Sequence, residues 1–187
     1  MSATITTLRD MVPIRPLTFA EAFRIAELQA TKLRELAGIS EPPLPETAIS
    51  QLPRLQVERI VPAGVSGATQ WSHGRWLIIL NGAEPLVRQR FSLAHEFKHI
   101  LDNPYIDVLY PRTRGQSSAG RAEQICDFFA GCVLMPRHML KRAWVDGAQD
   151  VRSLAHHFNV SSQAMQVRLL QVGLIEPPSR CVMAKAS

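Results

Sequence analysis

The sequence predicts an α+β fold: a small antiparallel sheet packed among helices, one of them carrying two histidines, and a C-terminal helix-turn-helix-like segment. Three observations carry this. Apolar residues recur at helical spacing over most of the 187 residues. Two short stretches near residues 55–61 and 75–80 instead read as strands. Pro, Gly and Asn stand between these blocks, where turns are needed.

The elements follow in order. Thr18-Phe-Ala-Glu21 matches a capping box, in which the Thr hydroxyl and the Glu carboxylate each take an orphaned backbone N–H. Behind it Phe19, Ala22, Phe23, Ala26, Ala30, Leu33 and Leu36 form one helical face to about Ala37, with Gly38 as the stop. Pro42, Pro43 and Pro45 make an extended connector. Leu55 to Val61 and Arg75 to Leu80 are the strands, and Gly64, Gly67 and His73-Gly74 between them read as turns. Pro85 opens a helix through Phe91, Leu93, Ala94, Phe97, Ile100 and Leu101, and Pro104 ends it. Residues 103–119 are polar and turn-rich. Helices follow over about Gly120–Leu134, Arg137–Trp144, Val151–Phe158 and Ser161–Val172. The expected organisation is an N-terminal helix with a Pro-rich connector (1–45), a core (46–147), and the helix-turn-helix-like segment with a tail (148–187).

Composition excludes several classes. Apolar residues are 46% and charged residues 20%, enough for a buried core and against disorder. Runs such as Trp76-Leu-Ile-Ile-Leu80 fall far short of the ~20 residues of a bilayer span. The N-terminus shows no signal-peptide stretch, so a cytoplasmic location without membrane contact is expected. Cys126, Cys132 and Cys181 are too few and too scattered for a disulfide framework, and no CxxC is present. The net charge is +5. Seven bases against three acids from Arg137 onward place +4 of it in the C-terminal third, without a dense cluster.

The chemistry is concentrated in His95-Glu96-Phe97-Lys98-His99, an HExxH sequence. Residues i and i+4 share a helix face, so both imidazoles can bind one Zn²⁺ at ~2.0–2.1 Å. Glu96 projects beside that face, where it can accept a proton from water activated by the metal. HExxH arises by chance in roughly one chain of this length in a hundred, and here it falls mid-helix behind an apolar lead-in. A longer zinc signature would need Gly at 102 and His or Asp at 105, but Asp102 and Tyr105 stand there. Downstream, Glu123 can reach the metal from the next long helix. Asp127, four residues on and on the same face, can accept the free N–H of a ligand histidine.

With Arg90-Phe-Ser-Leu-Ala94 ahead of it, and Glu123-x-x-Cys-Asp127-x-Phe129-Ala130-x-x-Val-Leu134-Met135-Pro136 behind, this pattern resembles the ImmA/IrrE family of zinc metallopeptidases. The resemblance covers roughly residues 55–175. It implies His95, His99 and Glu123 as zinc ligands and Glu96 as general base, the gluzincin arrangement. Lys98 replaces the family's usual Gly, Cys126 its Ala and Asp127 its Asn. Lys98 is expected on the helix exterior, and Asp127 to strengthen the bond to an imidazole. Tyr105, Tyr110 and His138 are each within conceivable reach of a substrate oxyanion.

Residues 150–169 read as helix, tight turn and helix, with Asn159 in the turn and Ser161 as N-cap. In a DNA reader the second helix would present Ser162, Gln163 and Gln166 to bases, with Arg168 the one base among them. That is thin for phosphate binding, so packing or a protein partner is the favoured role. His156 and His157 are adjacent and face different ways, which excludes them as a ligand pair.

Together these readings point to a cytoplasmic, zinc-dependent endopeptidase. The resemblance implies a protein substrate, a helix-turn-helix transcriptional repressor, cut under stress or in mobile-element regulation. Two alternatives remain open. One is a non-catalytic binding protein or toxin–antitoxin component that keeps the metal site as scaffold. The other is a DNA-binding regulator acting through residues 150–172.

Overall fold

The structure, a computed structural model, describes residues 3–61, 64–103 and 105–177. Pro104 and Cys181 lie outside the described residues. The elements run α1 (Ala3–Asp10), α2 (Phe19–Leu36), α3 (Thr47–Ser50), β1 (Leu55–Ile60), β2 (Gly67–Ser72), β3 (Arg75–Asn81), α4 (Leu86–Asp102), α5 (Ile106–Leu109), α6 (Ser118–Leu134), α7 (Arg137–Val145), α8 (Val151–Phe158) and α9 (Ser162–Val172). This is a small sheet among helices, the α+β architecture the sequence predicts.

Local chemistry sets the boundaries. Both halves of the capping box form at the start of α2: Glu21 N–H donates to Thr18 Oγ1, and Thr18 N–H donates to Glu21 Oε2 at 2.9 Å. Gly38, at φ +68°, lies just past its end. Asp150 and Ser161 cap α8 and α9 with side-chain oxygens. Asn159 between them sits at φ +53°, ψ +55°, the left-handed region an amide side chain tolerates.

The sheet departs from expectation in two ways. It contains β2, where the sequence reads only turns, and it is mixed instead of wholly antiparallel. β2 and β3 form a hairpin closed by His73 and Gly74, both at positive φ as a two-residue primed turn demands. β3 is central, in the order β1-β3-β2, and β1 pairs with it in parallel. The chain therefore runs up β1, crosses to the far side, descends β2 and returns up the middle. Glycines and a Thr-Gln-Trp stretch mask β2 because only one face of this edge strand meets the protein.

One hydrophobic cluster joins the elements, from Ile5 and Leu8 on α1 to Leu169 and Val172 on α9. α4 and α6 form its axis. α2 lies along α6, while α1 and the sheet lie against α4. Phe97, pointing away from the two histidines, is fully buried within 6.4 Å of the Phe129 ring. Truncating such a residue to Ala costs roughly 3–5 kcal/mol. α4 is thus held on several sides, and its histidines cannot drift. No helix among the described residues is long and apolar enough to cross a membrane.

Candidate metal centre

His95 and His99 stand one turn apart on α4, and α6 runs antiparallel beside them. The pairing brings Glu123 opposite His99 and Asp127 opposite His95. His95 Nε2 lies 3.1 Å from His99 Nε2, and Glu123 completes a triangle of groups by presenting a different oxygen to each ring, Oε2 at 3.1 Å from His95 Nε2 and Oε1 at 3.1 Å from His99 Nε2. A cation with ~2.0–2.1 Å bonds in tetrahedral geometry separates its ligands by about 3.3–3.4 Å. The three groups already hold nearly that spacing. His95 Nδ1–H donates to Asp127 Oδ1 at 2.8 Å, which fixes the tautomer and turns the Nε2 lone pair toward the triangle.

Carboxylates dominate the electrostatics around the two histidines. Burial lowers the His95 pKa, but Asp127, Glu123 and Glu96 outweigh it and leave it raised. Burial and the neighbouring His95 lower that of His99. Glu96 is only 8% exposed, and burial raises its carboxyl above the usual range. Its side chain lies under β2: a Cβ on Gly67 would sit 2.9 Å from Glu96 Oε1. The absent side chain at Gly67 therefore leaves room for that carboxylate.

His95, Glu96, His99 and Glu123 line one open cavity of about 500 Å³, with Trp71 and Trp76 from the sheet forming a wall. Cys126 adds a group the sequence reading left unassigned. Its sulfur lies within 4.8 Å of ligand nitrogens of both histidines. Position i+3 from Glu123 was the available signal, since it lies on nearly the same helix face. Burial, then the charge of Asp102, pushes its thiol well above the ordinary range. A metal takes the thiolate, so this fully buried thiol is the poorer donor.

Two expectations are corrected here. Lys98 is not on the exterior but 1% exposed. Its Nζ donates to Asp102 Oδ1 at 2.6 Å and to Gln29 Oε1 at 2.8 Å, and Tyr110 OH donates to Asp102 Oδ2 at 2.7 Å. The reason is that α4 is covered on this side too, by α1 and α2. Tyr110 is thereby committed to the core, and neither Tyr105 nor His138 lines the cavity. Arg168, the one base that the DNA-reading alternative would have used, is 2% exposed. Its Nε donates to Met135 O at 3.1 Å, and its guanidinium lies over the Phe128 ring. His156 and His157 are exposed, far from any ligand partner among the described residues.

Comparison with known proteins fits this geometry. A search of curated protein sequences finds no match. Among solved structures, a Mycobacterium tuberculosis transcriptional regulator superposes with a TM-score of 0.64 at 15% identity, a likeness of fold. The match covers 89% of this chain and 51% of that one, so the chain spans about half its length. Residues 53–170, which hold the sheet, both histidines, Glu123 and most of the C-terminal helix pair, match the Peptidase_M78 family, described as the IrrE N-terminal-like domain. The chain belongs to that metallopeptidase-type family.

Proposed function

We propose that this protein is a zinc-dependent endopeptidase with His95, His99 and Glu123 as the metal ligands and Glu96 as the general base. The single observation that carries it is the convergence of two imidazole nitrogens and the Glu123 carboxylate, each pair at 3.1 Å, beside a separate buried carboxylate. A scaffold site would need the triangle but not Glu96. Zinc, when bound, supplies a Lewis acid and lowers the pKa of water at the site.

The chain's own residues do the rest. Asp127 holds the His95 ring and its proton at Nδ1. Glu96 accepts a proton at a carboxylate oxygen and returns it to the leaving amine. β2 binds substrate through its backbone. The Asn81 N–H bond to Ser66 O, with the β2–β3 register, turns Ser66, Ala68, Gln70 and Ser72 toward β3. The backbone groups of Gly67, Thr69 and Trp71 then face the free edge. An extended peptide can add there as a fourth strand, alongside the donor triangle.

The substrate is a protein, and the family resemblance makes a helix-turn-helix repressor the first to test. The DNA-regulator reading loses ground because Arg168 is buried. The test pairs elemental analysis with cleavage. Wild type should hold near-stoichiometric zinc and cut the repressor, whereas Glu96→Ala should hold zinc and leave it whole. Equal cutting by both would sink the mechanism. Zinc retained in Glu123→Ala but lost in Cys126→Ala would replace Glu123 by the thiol.

A further inference from the structure

The helix pair α8–α9 needs a role if it does not read DNA. It is clamped to the catalytic helices by two arginines. Arg90 on α4 donates through Nε to Asn159 O in the left-handed turn, at 3.2 Å, and through Nη2 to Leu44 O. Arg168 on α9 ties the second helix to Met135 O at the end of α6. Between α4, α6 and α9 the clamp encloses a second cavity of about 270 Å³.

This cavity adjoins the metal set through Asp127. Along α4, His99, His95, Phe91 and Val87 recur every four residues on one side. Along antiparallel α6, Glu123, Asp127, Gly131 and Met135 answer them. Asp127 touches His95 on one side and lines the second cavity on the other. Phe91 and Gly131 lie one turn beyond it, about 6 Å, and Val87 and Met135 two turns, about 12 Å. In an extended peptide rising about 3.3 Å per residue, that is some two to four residues from the metal set.

Half of the lining is apolar and suits an apolar side chain; Arg88, Asp127, Ser161, Gln163, Arg168 and Gln171 supply the polar remainder. Val87, Phe91 and Met135 form the floor and one wall, and Ala164 and Val167 of α9 close it, with Val167 49% exposed. Gly131 keeps the floor low. Mid-helix glycine costs about 1 kcal/mol relative to Ala. Yet a Cβ there would meet only Arg168 Cδ at 3.7 Å and Gln171 Oε1 at 3.9 Å, so packing does not demand its absence. The volume falls below the roughly 300–1,000 Å³ of sites that enclose a whole small molecule. It fits one side chain of an occupant that enters from the metal cleft.

We infer that this cavity is a specificity pocket for an apolar side chain, leucine, methionine or phenylalanine, about two to four residues from the bond cleaved, and that α9 serves as its roof. The inference rests on the peptidase reading and names what that site selects. α9 then meets the substrate through Gln163, Ala164 and Val167, of which Gln163 is also a position that a DNA-binding helix would turn to bases.

The test is a cleavage profile. Zinc-loaded protein is incubated with a proteome-derived peptide library, and the cut sites are sequenced by mass spectrometry. Wild type should show Leu, Met or Phe enriched about tenfold or more at one position, the discrimination a single apolar pocket supplies. Ala164→Trp fills the pocket and should abolish that enrichment in favour of Gly or Ala, with wild-type zinc content and melting temperature. Gln166→Trp, equally bulky but on the exposed side of α9, should leave the profile as in wild type. An unchanged profile in Ala164→Trp, or no apolar preference in wild type, overturns the pocket while the peptidase stands. Zinc-loaded wild type that cuts nothing in the library overturns both.

Discussion

Lys98→Met tests how much of the centre's support is an ion pair sealed inside the protein. Lys98 and Asp102 are each 1% exposed and meet at 2.6 Å. Removing the ammonium leaves the Asp102 carboxylate buried with one remaining donor, Tyr110 OH, and orphans Gln29 Oε1. Breaking one side of a buried pair costs about 3–5 kcal/mol. At roughly 2–4 °C per kcal/mol for a chain of this size, the melting temperature should fall by about 6–20 °C. Lys98→Met with Asp102→Leu removes the stranded charge and leaves only neutral groups unpaired, at about 1–3 kcal/mol. The double variant should therefore be more stable than the single one. Denaturant midpoints of wild type, both singles and the double close the cycle. A Lys98→Met cost under about 1 kcal/mol, or strictly additive effects, would refute the reasoning.

Other perturbations address separate features. Gly131→Ala should stabilise α6 by about 0.5–1 kcal/mol, since its Cβ makes only ordinary contacts; a lower denaturant midpoint would contradict this. Gly67→Ala forces a Cβ to within 2.9 Å of Glu96 Oε1 and should lower hydrolysis with zinc content unchanged; full activity would show the carboxylate moves freely. Glu21, held by Arg15 and Thr18 at the α2 cap, has its pKa lowered to about 2 from 4.5. Its contribution is present above pH 4.5 and lost as pH falls toward 2. The melting temperature of Glu21→Gln should thus lie below wild type at pH 7 and converge with it near pH 2; a gap that persists there would refute the assignment. Arg168→Met removes the clamp to Met135 O, and hydrogen exchange in α9 should rise more than in α4.

Much of the site is legible in one dimension because helix geometry is local. The i, i+4 spacing of His95 and His99, and of Glu123 and Asp127, already puts each pair on one face, and caps such as Thr18–Glu21 and Ser161 mark where helices begin. The same locality explains what is hidden. β2 acquires its strand pairing from β3 and its meaning from Glu96, neither of which its own residues, Gly67 included, announce. Whether Lys98 is outside or buried depends on α1 and α2 closing over α4. Whether Arg168 faces solvent or the core depends on where α9 docks.

The sequence by itself determined helices α2, α4, α6, α7, α8 and α9 and the types and spacing of the candidate ligands, because periodicity and capping act within a few residues. Only the tertiary structure decided the mixed sheet, the buried Lys98–Asp102 pair, the thiol beneath the histidines and the cavity roofed by α9. Each of these depends on contacts between residues far apart in the chain, and those exist only once the helices have packed.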